Sequence, residues 1–205
     1  MDLFDYLRGA KLNKLEEAFG GSPEDGPNPF QGLLGMEKKL DDATAAKFSD
    51  TNVGLCKNGL YKLIRTDPTI ADPTKWVVGR PVFWVDTNLW KCTTVAAATS
   101  RFAGVAISNL EEAGNVVLIQ TYGDALGLWA AASTKAVPAL GDPLQLKIAA
   151  NLADLEVILD ATGWTNVQQK AYVGKVLEVP ANPAASGVKR IWLDGAQRVF
   201  NRGVR

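Results

Sequence analysis

The chain has 205 residues, of which 47% are hydrophobic and 21% charged, the range of an ordinary globular protein rather than a disordered one. Its 22 basic residues are balanced by 22 acidic ones; zero net charge argues against a nucleic-acid partner, because neutralising phosphates takes a surplus of cations. There are no histidines, which excludes Ser-His-Asp and Cys-His catalysis and most zinc sites.

The first block, residues 1–19, reads as an amphipathic helical arm. Leu3, Leu7, Leu12, Leu15 and Phe19 fall at near-helical spacing, with Phe4, Tyr6 and Ala18 filling the stripe. Asp2 and Asp5 sit at the end where the helix dipole favours acids, and Gly20-Gly21 closes the pattern. The acidic opening, Met1-Asp2-Leu3-Phe4-Asp5, does not have the basic start of a signal peptide. Residues 20–47 form a linker and lead-in. Gly20 to Gly35 is too rich in Gly and Pro for a regular element, and Met36 to Phe48 is a weaker helix candidate or an ordered lead-in. A helix on such a linker either packs on its own core or docks on a neighbouring subunit; in the second case Leu3, Phe4, Leu7, Leu12, Leu15 and Phe19 are the candidate partner-binding residues on the arm. Phe30, Leu33 and Leu34 are candidates on the linker.

From residue 48 to the C-terminus the pattern is β. Asn58-Gly59 lies between apolar runs as a hairpin signal, and Asp67-Pro68 and Asp72-Pro73 are turns. Strands are expected at Lys75–Val78, Pro81–Val85, Leu89–Val95, Arg101–Ser108 and Asn115–Tyr122, the last two joined by an acidic loop. Asn151–Asp160 allows a helix or a strand, and the surrounding β pattern favours the strand. Motifs recur: Gly79-Arg80-Pro81-Val82 is echoed by Gly141-Asp142-Pro143-Leu144, Phe102–Ile107 by Tyr172–Leu177, and Val116–Thr121 by Val188–Leu193. Short strands with glycines at bends make the fold mainly β, a compact β-barrel or β-sandwich behind an N-terminal amphipathic helix arm.

Little in the chain resembles a catalytic or metal site. Asp41-Asp42 and Glu111-Glu112 are adjacent acids that point to different sides. Gly32-Leu33-Leu34-Gly35 has none of the Lys and Ser/Thr of a phosphate loop, and the spacing of Ser133 and Lys135 carries no meaning alone. Cys56 and Cys92 are too far apart for a metal motif; they pair only if the fold brings their Cα atoms close, and otherwise read as buried free thiols. No enzyme activity, cofactor or metal is expected. No apolar run is long enough to span a bilayer, so no membrane partner is expected either. The six tryptophans read as core and interface anchors, with a sugar-stacking platform as the alternative.

At Gly79-Arg80-Pro81-Val82-Phe83, Phe102-Ala103-Gly104-Val105-Ala106, Gly114-Asn115, Ile119-Gln120-Thr121-Tyr122-Gly123 and Tyr172-Val173-Gly174-Lys175-Val176-Leu177-Glu178, the chain resembles the capsid decoration (cement) proteins of tailed bacteriophages. The likeness runs from Asn52 to Leu193 and leaves the arm and linker outside it. It implies a β-rich structural protein, made in the host cytoplasm, that binds the outer surface of the assembled head. Its expected partners are the major capsid protein and other copies of itself. The alternative is a carbohydrate-binding module of a head fibre or tail component.

Overall fold

A computed structural model describes residues 34–39, 59–70, 72–85, 88–97, 100–110, 113–129, 138–157, 172–179 and 187–194. The arm at 1–19 and the Asn58 side of the expected hairpin lie outside these residues. The described chain is mainly β: β1 (Glu37–Lys39), β2 (Leu60–Thr66), β3 (Pro81–Val85), β4 (Asn88–Thr93), β5 (Phe102–Ala106), β6 (Val116–Trp129), β7 (Pro143–Ala149), β8 (Leu152–Val157), β9 (Tyr172–Val176) and β10 (Gly187–Leu193).

These strands form one continuous sheet that closes on itself twice. In the first ring the order is β2-β4-β3-β5-β6, and the N-terminal half of β6 returns to β2. In the second it is β6-β10-β9-β7-β8, and β8 returns to the C-terminal end of β6 through Trp129↔Leu155. The 14-residue β6 is therefore shared. Where the sequence suggests an end at Tyr122, Gly123 at φ 97° bends the strand and the ladder continues onto β10.

The echoes in the sequence correspond to matched registers. Pro81↔Val105, Val82↔Gly104 and Phe83↔Phe102 in the first ring repeat as Pro143↔Lys175, Leu144↔Gly174 and Gln145↔Tyr172 in the second, each with an irregularity before the last pair. Ala106↔Ile119 repeats as Val176↔Ile191. Trp84↔Cys92 repeats as Leu146↔Leu155, and the parallel pair Thr66↔Cys92 as Trp129↔Leu155. The turns match as well: Gly79 N–H donates to Ala106 O at 2.8 Å, and Gly141 N–H to Val176 O at 2.9 Å, with φ of 81° and 83° at the two glycines.

Two apolar clusters follow. Ile64, Val82, Trp84, Cys92, Ala106 and Ile119 fill the first ring; the register-equivalents of four of them, Leu144, Leu155, Val176 and Ile191, fill the second. The remaining positions compensate in volume. Ile64 of the first ring becomes Gly127 in the second, beside Leu155, which stands where the first ring has the smaller Cys92. A methyl on Gly127 would lie 2.4 Å from Leu155 Cδ1 and 2.7 Å from Ile191 Cδ1. Gly104 and Gly174 are required for another reason: a Cβ there would stand 2.3 Å from Gln120 O and 1.9 Å from Trp192 O, inside the neighbouring backbone.

Two expectations are corrected. Residues 75–78 are not a strand. Asp72 caps a short 3-10 turn at Pro73–Lys75 by accepting the Thr74 N–H, and Pro73 occupies its first position. Trp76 is then fully buried in the first cluster. Within Met36–Phe48, a helix candidate, residues 37–39 are instead extended. They pair with β2, with Leu63 N–H donating to Met36 O at 3.2 Å and Gly35 N–H to Leu63 O at 2.7 Å. Asn151–Asp160 contains the expected strand, β8.

Candidate interaction surface

The two rings meet at a built junction. The alternation of β3 sends Val82 and Trp84 into the first cluster and Phe83 to the opposite side. There Phe83, Phe102 and Val105 join the cluster of the second ring, with the two phenylalanine rings edge to face at 6.3 Å. Polar contacts surround this apolar patch. Leu128 N–H donates to Gly79 O at 2.8 Å, and Ala96 N–H donates to Asn151 O at 2.8 Å. Arg80 Nη1 donates to Asp154 Oδ1 at 3.0 Å and is 3.4 Å from Ala153 O. Arg80 is 13% exposed and Asp154 34%, so this pair is partly sheltered and counts for more than a surface ion pair.

The outward surface carries several single apolar side chains, including Trp90, Val95, Leu140, Leu177, Val179 and Val188. Trp90 is 37% exposed, with Lys91 Nζ 5.6 Å from its ring centroid, a cation–π arrangement. Trp76, Trp84 and Trp129 are buried, as anchors of the two clusters. Trp192 is half-buried, edge-on to Tyr122 at 5.5 Å, with its indole N–H donating to Asp194 at 3.0 Å. Among the described residues, then, Trp90 alone of the tryptophans is exposed, and no coplanar exposed pair is formed. A cleft of about 430 Å³ opens beside β3 and β4, its wall mixing Asp67, Thr93 and Arg101 with Ile70 and Trp84.

The titratable groups are held by local structure. Burial pushes the Cys92 thiol well above its ordinary value, with the Lys62 ammonium opposing the shift. Lys62 is itself buried, its ammonium 5.3 Å from the Trp84 ring centroid. The Tyr172 phenol is raised by burial and by its hydrogen bond to the Asp194 carboxylate. Glu178 is lowered, first by the Arg190 backbone N–H and then by Lys189. Asp124 and Arg190 form an ion pair across β6 and β10. No three acidic or cysteine side chains converge as a metal site would need among the described residues.

Of the sequence-derived binding residues, Leu3, Phe4, Leu7, Leu12, Leu15, Phe19, Phe30 and Leu33 lie outside the described residues. Leu34 is described; it is half-buried in the turn that leads into β1. The junction residues Arg80 and Asp154 escape sequence reasoning because they are 74 residues apart and no local pattern joins them. The signal that does exist is the repeat, which sets Gly79-Arg80 beside Gly141-Asp142. No protein-family model matches the chain, and its sequence matches no curated protein.

Proposed function

We propose that this chain is a structural protein of a phage virion that coats the outer surface of the assembled head and stabilises contacts between major capsid subunits. The observation that carries the reading is the double use of the motifs behind the resemblance. Gly79–Phe83 with Phe102–Ala106, and Gly141–Gln145 with Tyr172–Val176, pair in one register in two small β-rings that read as barrels. Two rigidly joined modules suit a partner that is itself a repeating lattice, where modest burial per copy is multiplied by many copies. Zero net charge fits an outward position, away from packaged DNA.

In this reading the arm residues Leu3, Phe4, Leu7, Leu12, Leu15 and Phe19 reach a second subunit. The test is co-sedimentation of the purified protein with expanded heads that do not carry it. Saturable binding at a fixed ratio to the major capsid protein, with heads then resisting heat, is the expected result. Failure of a folded, monodisperse protein to bind overturns the reading. Leu7→Asp should weaken binding while leaving the melting of the β-rings unchanged; normal binding by that variant removes the arm from the proposal.

A further inference from the structure

The internal junction has two counterpart faces elsewhere on the chain. The docking side of the first ring has its register-equivalent on the second ring, and the receiving side of the second ring has its equivalent on the first. The registers that define the repeat make Asp142 the counterpart of Arg80, since Pro81↔Val105 matches Pro143↔Lys175. They make Lys91 the counterpart of Asp154 and Trp90 that of Ala153, since Cys92 and Leu155 hold the same place opposite Trp84 and Leu146.

At these faces both charges have changed sides. Inside the chain a cation on the docking turn, Arg80, meets an anion on the receiving strand, Asp154. At the counterpart positions the docking turn carries an anion, Asp142, and the receiving strand a cation, Lys91. Bulk has changed sides too. The docking face gives up Phe83 for Gln145, whereas the receiving strand replaces Ala153, fully buried under the first ring, with Trp90, which is 37% exposed. The charges are thus complementary in both places, with their sense inverted, and Lys91 and Asp142 are both half-buried. The polar Gln145, Tyr172 and Lys175 in place of Phe83, Phe102 and Val105 make the outer version wetter and weaker than the internal one.

We infer that copies of this chain associate head to tail through a second edition of the internal junction, the Gly141-Asp142 turn of one copy seated on β4 of the next, with Asp142 facing Lys91 and Trp90 beneath it. Such an interface is heterologous, so it closes into a ring or continues as a row, according to the rotation it imposes. It rests on the chain's own repeat and not on the identity of any phage-head partner, so self-association and head binding stand or fall in separate assays.

The experiment is sedimentation velocity on the full chain over a wide concentration range, with Lys91→Asp alongside. Carbodiimide coupling of a mixture of isotopically light and heavy protein reads the contact directly. The expected results are concentration-dependent association, a light–heavy peptide pair joined between Lys91 and Asp142, and a dissociation constant weakened at least about tenfold by Lys91→Asp, since facing like charges oppose docking. The doubly reversed Lys91→Asp, Asp142→Lys chain should recover association. Asp142 also accepts the Ala139 N–H, so that chain is checked for an unchanged melting curve, and Lys91→Asp carries the test if the curve shifts. A chain that stays monomeric throughout, or an association indifferent to Lys91→Asp, overturns the inference.

Discussion

Leu155 is fully buried at the centre of the second ring, and it faces Gly127, a position with no side chain to move into a gap. Truncating it to alanine removes the three carbons of an isopropyl group from the core. At about 0.8 kcal/mol per methylene-sized group the transfer loss is about 2.4 kcal/mol. The cavity left behind adds to that, and with no neighbour at 127 able to collapse into it the total should reach about 4 kcal/mol. Gly127→Ala alone should also destabilise, by about 1–3 kcal/mol, because the new methyl overlaps Leu155 Cδ1 at 2.4 Å and Ile191 Cδ1 at 2.7 Å. Together the two changes relieve each other: the methyl enters the space that the isopropyl group vacates. Urea unfolding of the wild type, both single variants and the double variant gives the coupling directly, and it should be favourable by about 2 kcal/mol. Additivity to within about 0.5 kcal/mol would refute the claim that the rings exchange volume between these positions.

Gly174→Ala should unfold the chain at ordinary temperatures or lower its melting point sharply, since the methyl would meet the Trp192 carbonyl at 1.9 Å, and backbone cannot step aside; Gly104→Ala should behave alike, and thermal scans by circular dichroism check both. Cys92 should resist alkylation in the native protein and react once urea exposes it, read by peptide mass spectrometry, because burial holds it as the protonated thiol. A raised folded value also means that its contribution to stability is present below the thiol's ordinary value and is lost as the pH rises above it. Glu178 has the opposite sign: its lowered value contributes stability above the ordinary carboxylate range that is lost as pH falls through the folded value, so Glu178→Gln should flatten the acid limb of a pH–melting curve.

How much of this was legible in the sequence depends on the range of the contacts involved. The turn at Gly79-Arg80-Pro81 and its echo at Gly141-Asp142-Pro143 are visible because a left-handed glycine followed by proline leaves a local trace. The strand β8 is visible because β-branched and aliphatic residues cluster around it. Residues 75–78 mislead because Trp76, Val77 and Val78 have strand-like side chains, while the Asp72 cap and Pro73 decide the backbone. The β7–β8 hairpin turns on Ala150 and Asn151, at φ of 49° and 62°, and alanine gives no warning of a left-handed position. The Arg80–Asp154 contact has no local trace, and only the match of registers brings it into view. The arm and linker candidates, apart from Leu34, fall outside the described residues, so their part in binding rests on sequence spacing.

The sharing of β6 and the packing of Phe83, Phe102 and Val105 into the second cluster bind the two rings into one unit. Each ring owns four strands outright and half of a fifth, so a cut near Gly123 spares both ladders but parts the second cluster from Phe83, Phe102 and Val105, and a cut elsewhere within residues 116–129 also robs one ring of its closing strand. A fragment that ends early leaves a lengthwise seam of bare amides and carbonyls, the kind of opening that takes up a strand from another molecule. The natural unit of assembly, exchange and degradation is therefore the whole pair, and a split version should recover its fold only when the missing half is supplied in trans.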